Sequence, residues 1–259
     1  MPLAHAISDS RALAGRCLRR SLRDPEAFFT ALSLPIILLL LFVYVFGGAL
    51  SSSGDYVDYI VPGLIVLCAG FGAGTTAVAV ATDMSNGIVD RIHSMPVFGS
   101  ALLVGHVVAS VARNLLATTL VIGAGLLVGW SPSGSVVDWF GAVAMILLFI
   151  VALSWFSAAV GLLARSAEAA TAFTMVLMFA PYVSTAFVPA RTMPTALDDF
   201  ARHQPFTPVI ETMRGLWMGS TSTGAAVGTE AAVATLYCVA IMAISAYAAT
   251  RLFRERSEA

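Results

Sequence analysis

The sequence predicts an all-α membrane protein with six transmembrane helices, and three observations carry that prediction. Hydrophobic residues make up 58% of the 259 residues and charged ones only 11%, against roughly 25% charged in a soluble domain. Six continuous apolar runs reach the length of about 20 residues that a helix needs to cross a hydrocarbon core. None alternates apolar with polar residues, which excludes the short alternating strands of a membrane barrel. Lipid offers the backbone no hydrogen bonds, so runs of this kind must be helical.

In chain order, residues 1–26 precede the first run. Within 8–23, Leu13, Cys17, Leu18 and Leu22 share one stripe while Arg residues fan around the other faces. That is the pattern of an N-terminal interfacial amphipathic helix; a bare positive-inside topology signal is the simpler alternative. In "RDPEAFF", Asp24 is a candidate cap, Pro25 fits a first helical position and Glu26 complements the positive helix end. The predicted spans then occupy 27–50, 59–81, 102–128, 137–164, 169–188 and 229–252.

Arg placement orients the spans. With the N-terminus inside, ten Arg lie on the cytoplasmic side, three (Arg191, Arg202 and Arg214) outside, and Arg113 within a span. Both termini and the segment 83–97 are therefore expected in the cytoplasm. The exterior stretch 189–228 carries Pro189, Pro194, Pro205 and Pro208, each a helix start or stop. After Pro208, the residues Val209, Met213, Leu216 and Trp217 share a face opposite Glu211 and Arg214. This predicts short exterior re-entrant helices that dip into the outer leaflet before the sixth span. Residues 1–259 read as a single transmembrane domain, with no internal repeat, signal peptide or second, soluble domain expected.

Composition also excludes chemistry. All 14 basic residues are Arg, so neither a Lys-dependent phosphate loop nor Lys Schiff-base catalysis is available. ATP, if used, is hydrolysed by another chain. Cys17, Cys68 and Cys238 are scattered, which favours small apolar fillers over a disulfide. The four His have no zinc-type spacing, and neither G-x-S-x-G nor H-E-x-x-H occurs. No catalytic residue, metal site or cofactor is expected in this chain. A secondary transporter would carry carboxylates at the midplane, and no Asp or Glu lies well inside a predicted span.

One polar stretch interrupts the apolar runs: "DMSNGIVDRIHSMPV", residues 83–97. Asp83 or Ser85 can cap a short helix on which Ile88, Ile92 and Met95 form a stripe, with Asp90, Arg91 and His93 on other faces. Pro96 ends or bends it. Two readings stay open on these residues alone. The segment is either a rod through which a cytoplasmic partner moves two spans together, or a solvated connector.

The stretch resembles the cytoplasmic coupling segment of ABC-2 type permeases, whose fold is that of type V exporters, in the daunorubicin/doxorubicin-resistance branch. The acidic residue, Gly, acidic-Arg pair and Pro that recur there in order are matched by Asp83, Gly87, Asp90, Arg91 and Pro96. "YIVPGLIVL" is similar to the start of the family's second span, "VARNLLATTL" to its third and "RSAEAATAF" to the connection into its fifth. "STAFVPARTMPTALDDFARHQPFTPVIETMRGLWMG" resembles its exterior stretch. His106 stands where many relatives carry Lys or Arg. The resemblance covers roughly residues 10–252.

It implies a permease subunit of an ATP-driven exporter in a bacterial cell membrane. A second permease copy or paralogue pairs with it, and a separate ATPase subunit holds ATP and Mg2+. On this resemblance Asp83, Gly87, Ile88, Asp90, Arg91, Ile92, Met95 and Pro96 are the ATPase-coupling candidates. The spans, rich in apolar and small residues, suit an amphiphilic drug, antibiotic or lipid. A glycan or glycolipid exporter of the same superfamily is the alternative, for which aromatic rows along the spans would be expected.

Candidates for the substrate path are the amphipathic groups inside spans: Arg113, Asn114, Trp155 and Tyr182. Arg113 is the one charge deep in a span, either facing a cavity or answered structurally by snorkelling or by pairing with Glu168 or Asp83. Thr118, Thr119, Ser154, Ser157, Thr171 and Thr174 read as helix-packing residues, as does "GFGAGTT" at 70–76.

Overall fold

The computed structural model describes residues 15, 25–46, 56–86, 101–164 and 166–258, and every regular element among them is helical. Helix α1 (Pro25–Leu40) runs into a π-helical turn, Leu41–Val45. Helices α2 (Tyr56–Ser85), α3 (Ala101–Val128) and α4 (Val136–Leu163) follow. Helix α5 (Ala167–Phe179) passes into a 3-10 turn, Ala180–Val183. A second 3-10 turn (Ala190–Thr192), α6 (Thr195–His203) and α7 (Phe206–Met218) precede α8 (Val227–Glu258). Apart from Gly15, the expected interfacial helix over 8–23 lies outside the described residues.

Four of these helices, α2, α3, α4 and α8, are long and apolar enough to cross a membrane; Ser33–Val45 and Ala167–Val183 are shorter apolar helices. The helix expected over 169–188 therefore needs correcting, because it stops at Val183. Pro181 brings no N–H to continue the ladder. The 13 residues of α5 rise only about 20 Å, short of a core about 30 Å thick. Beyond Val183 the chain runs on without helical form along α2 to its start. Tyr56 Oη donates to the Phe187 carbonyl (3.0 Å) and Tyr59 Oη to that of Thr185 (2.8 Å). Gly63 permits the approach, since a Cβ there would sit 2.7 Å from the Ala186 backbone.

Helix α2 is apolar on every side, and residues 60–70 are all buried. A helix of that pattern belongs in the middle of a bundle, and α1, α3, α4, α5 and α7 pack around it. Small residues let the backbones close up. A Cβ at Gly161 would lie 2.5 Å from the Ala77 carbonyl, and one at Gly74 would lie 2.3 Å from the Thr174 methyl. The outward faces of α3, α4, α5 and α8 carry exposed Leu127, Val137, Phe140, Val176 and Leu236. Water would penalise so much contiguous apolar surface; lipid does not.

The connections are capped locally. Ser135 and Asp138 form a reciprocal capping box at the start of α4, and the Ser166 hydroxyl accepts from Ala169 N at the start of α5 (3.2 Å). Gly219 ends α7 in the left-handed region, φ 73°, which glycine adopts without a Cβ penalty.

Two apolar clusters mark the two ends of the bundle. Val80, Leu102, Leu103, Ala158, Ala159, Leu162, Ala249 and Phe253 gather where α2, α4 and α8 end and α3 begins. The larger cluster, with Trp130, Phe149, Phe206, Trp217 and the first half of α2, fills the remainder. Trp130, Trp139 and Trp217 meet within it at ring-centroid distances of 5.0 to 6.1 Å.

Candidate functional site

The polar side chains of the bundle are arranged in layers along α3. His106, Ser110, Asn114 and Thr118 recur every four residues, so they lie on one face of the helix. All four are buried. This stripe is pressed against α2 and α4. The His106 imidazole Nε2 lies 3.0 Å from Asp83 Oδ2 in the last turn of α2, with both side chains more than nine-tenths buried. One turn further, the Ser154 hydroxyl of α4 donates to Ser110 Oγ (2.9 Å), and Asn114 Nδ2 reaches the same oxygen at 3.4 Å. Gly72 admits Asn114, because a Cβ there would fall 1.7 Å from its Oδ1.

Arg113 lies beside this stripe. Its Nη2 donates to the Gly72 carbonyl (3.1 Å), to Thr75 Oγ1 (2.6 Å) and to Thr76 Oγ1 (3.2 Å). At 1.5 Å per residue, Arg113 is about 18 Å from the start of α3, and 72–76 lie about 14–20 Å from the matching end of α2. The guanidinium thus stays at depth and does not snorkel to the interface. The "GFGAGTT" stretch does more than pack, since it supplies a carbonyl and two hydroxyls to this cation.

The four path candidates are not brought into one place. Arg113 and Asn114 meet α2 side by side. Trp155 packs on the cluster at the α2 C-terminal end. Tyr182 stacks on Phe187 (5.2 Å, 11°) beside the start of α2. Sequence reasoning passed over His106 and Ser110 as members of the stripe; their four-residue spacing from Asn114 was the available signal.

Of the coupling candidates, Asp83 is described. It lies inside the last turn of α2 with its carboxylate on His106. Gly87, Ile88, Asp90, Arg91, Ile92, Met95 and Pro96 lie outside the described residues.

The opposite end of the bundle is closed by a buried ionic network. Glu211 and Arg214 of α7, expected on an outward face, are 0% and 3% exposed and form an ion pair. Arg214 also donates to the carbonyls of Tyr59 (2.9 Å) and Thr185 (3.0 Å) and lies 3.8 Å over the Tyr59 ring. Glu211 accepts from the Ser222 hydroxyl (2.6 Å). Residues 206–215 are buried throughout, because α7 sits against α2, α4 and α8. The start of α7 reaches the middle of the bundle, where the Phe206 ring packs 5.5 Å from that of Phe149, halfway along α4, and protein covers the polar face of α7 as well as its apolar one. Helix α6 does present apolar side chains outward, Leu197 and Phe200 at 46% and 58% exposure.

A helical bundle with several apolar crossings and polar groups held inside it is a multi-pass membrane protein. Residues 9–218 match the family described as ABC-2 type transporter, and the chain belongs to that family. It is 27% identical over 219 residues to the daunorubicin resistance ABC transporter permease protein DrrB1 of Streptomyces coeruleorubidus, covering 84% of this chain and 77% of that one. It is 26% identical over 216 residues to the probable doxorubicin resistance ABC transporter permease protein DrrC of Mycobacterium tuberculosis, covering 82% and 78%. The chain is accordingly the membrane permease subunit of an ABC exporter. Its ATP-binding partner is a separate subunit, and the permease is not itself an enzyme.

Proposed function

We propose that this permease exports an amphiphilic or hydrophobic molecule, a drug, antibiotic or lipid, across a bacterial cell membrane. The observation that carries this reading is the similarity, along 84% of the chain, to a daunorubicin resistance permease. Two permeases, identical or paralogous, pair to form the path. Each spans six times with both termini in the cytoplasm, α1 and α5 completing the set of crossings despite their breaks.

The segment 83–97 meets the ATPase, which binds ATP and Mg2+. Asp90 and Arg91 make the contact, supported by Gly87, Ile88, Ile92, Met95 and Pro96. Asp83 contributes from the root: buried on His106, it ties the end of α2 to the start of α3, so that a push on the segment moves both helices. Arg113 and Asn114 stand on the path side of this lever, with Trp155 and Tyr182 flanking at either end.

Purification with the ATP-binding subunit, followed by ATPase assays across drugs and lipids, tests the reading. Stimulation by amphiphiles is expected. Replacing Asp90 and Arg91, or deleting 86–95, should release or uncouple the ATPase while the spans still insert. Unchanged association and transport after those changes would remove the coupling assignment.

A further inference from the structure

Between Val183 and Met218 the chain enters and leaves the bundle at one end. From Val183 it runs beside α2 to Phe187, whose carbonyl accepts from Tyr56 in the first turn of that helix. Helix α6, packed on both 3-10 turns, leads back into the bundle, and α7 returns to the tryptophan trio. Three contacts fix the depth of the turn between α6 and α7. Gln204 Nε2 donates to the Val183 carbonyl (3.1 Å). A Cβ at Gly70 would meet the Phe206 ring at 3.9 Å. The Tyr237 hydroxyl donates to the His203 carbonyl (2.9 Å). At 1.5 Å per residue, Gly70 is about 21 Å from the start of α2 and Tyr237 about 15 Å from the start of α8. Helix α6 therefore ends near the middle of the membrane.

The side chains it carries to that depth include charged ones. Asp198 with Arg202, and Asp199 with His203, lie one turn apart on one side of the helix, opposite Leu197, Phe200 and Ala201. Protein buries Ala201, whereas Asp199 and His203 are exposed. Arg202 Nε donates to Asp198 Oδ1 (2.6 Å), with 37% and 25% of the two side chains exposed. His203 Nδ1 donates to the Asp199 carbonyl (2.7 Å). Hydrocarbon does not accept exposed ionisable groups; inside a membrane they face a protein interior or a water-filled cavity. Helix α7 shows the first arrangement, with Glu211 and Arg214 covered by protein. The charged face of α6 lacks that cover.

We propose that the face of α6 formed by Asp198, Asp199, Arg202 and His203 is the wall of a water-filled vestibule. It opens at the end where α7 finishes and reaches the middle of the membrane, and Leu197 and Phe200 look away from it. Water there gives the polar part of a cargo molecule a route across the half of the membrane remote from 87–100. That use rests on the exporter reading; the vestibule itself does not.

Fluorescence quenching tests the vestibule. Asp199→Cys, His203→Cys and Phe200→Cys variants are made in a background where Cys17, Cys68 and Cys238 are replaced. Each is labelled with bimane and reconstituted with the ATP-binding subunit in phosphatidylglycerol/phosphatidylethanolamine liposomes. Iodide, placed on both sides so that orientation does not enter, should quench the labels at 199 and 203 nearly as well as one at exposed Ala226. The label at 200 should lose much less fluorescence to iodide. Lipids with a nitroxide on the headgroup or midway along the acyl chain should leave 199 and 203 bright. Quenching of those two by headgroup nitroxide would put α6 flat on the membrane surface, and quenching by chain nitroxide would put lipid against its charged face. Labels dark to neither quencher would place a second permease chain there, and equal iodide quenching at 200 would remove the sidedness. Each of these four results overturns the vestibule. Amphiphile-stimulated ATPase in the same liposomes reads the exporter function apart. Stimulation with 199 and 203 closed to iodide removes the vestibule alone; iodide-quenched labels without any stimulation leave the vestibule and count against the exporter reading.

Discussion

Arg214 and Glu211 have no route to bulk water, so each charge depends on the other and on the groups gathered around them. Removing one member of a buried pair strands its partner, at about 3–5 kcal/mol. Glu211→Gln is therefore expected to lower the unfolding temperature of the detergent-purified permease sharply. The double variant Glu211→Gln with Arg214→Met should lose less than the sum of the single losses. Arg214→Lys should also fail, because a Lys ammonium lacks the planar fork that reaches the Tyr59 and Thr185 carbonyls together. Thermal unfolding monitored by size-exclusion chromatography reads all of these. Arg113 is treated differently, its Nη2 being met by a carbonyl and two hydroxyls of α2.

For the helices, close approach decides the sign of a substitution. Ala is a better helix former than Gly by about 1 kcal/mol, so Gly→Ala should stabilise wherever space allows. Gly123 in α3 has nothing within 4 Å of its added Cβ, whereas Gly161 in α4 would drive one into the Ala77 carbonyl and Val80. Gly123→Ala should leave the unfolding temperature unchanged or raise it. Gly161→Ala should destabilise by about 1–3 kcal/mol, the usual cost of overpacking. Opposite signs in the same melting assay are the expected outcome; equal effects would mean that α2 and α4 are not in contact at that level.

Taken whole, the molecule has an asymmetry between its ends. One end is closed by the α7 network and the tryptophan trio; the other carries the Asp83–His106 pair and leads to 87–100. With the proposed orientation, a cysteine placed at exposed Ala226, in a background where Cys17, Cys68 and Cys238 are replaced, should react with a membrane-impermeant maleimide on intact cells. One placed at exposed Arg254 should react only after the membrane is opened. The reverse labelling pattern would invert the bundle and put 83–97 outside, away from any ATPase.

Much of this architecture could be read from residue order alone, for a physical reason. A chain in lipid must hide every peptide group within its own helix, so unbroken apolar length is enough to mark α2, α3, α4 and α8. The four-residue polar stripe on α3 is likewise a local periodicity. What sequence could not settle is which polar groups meet. Glu211 and Arg214 look outward-facing on an isolated helix; they are inside because α7 folds against α2 and α4. Nothing in the sequence announces that α3 brings His106 beside Asp83, and the predicted fifth span looks continuous, whereas its helix stops at Val183 and the chain runs on to Tyr59 and Tyr56 without helical form. Those pairings join residues far apart in the chain, and tertiary packing alone selected them, since in a medium without water each buried polar group must find its partner in the protein.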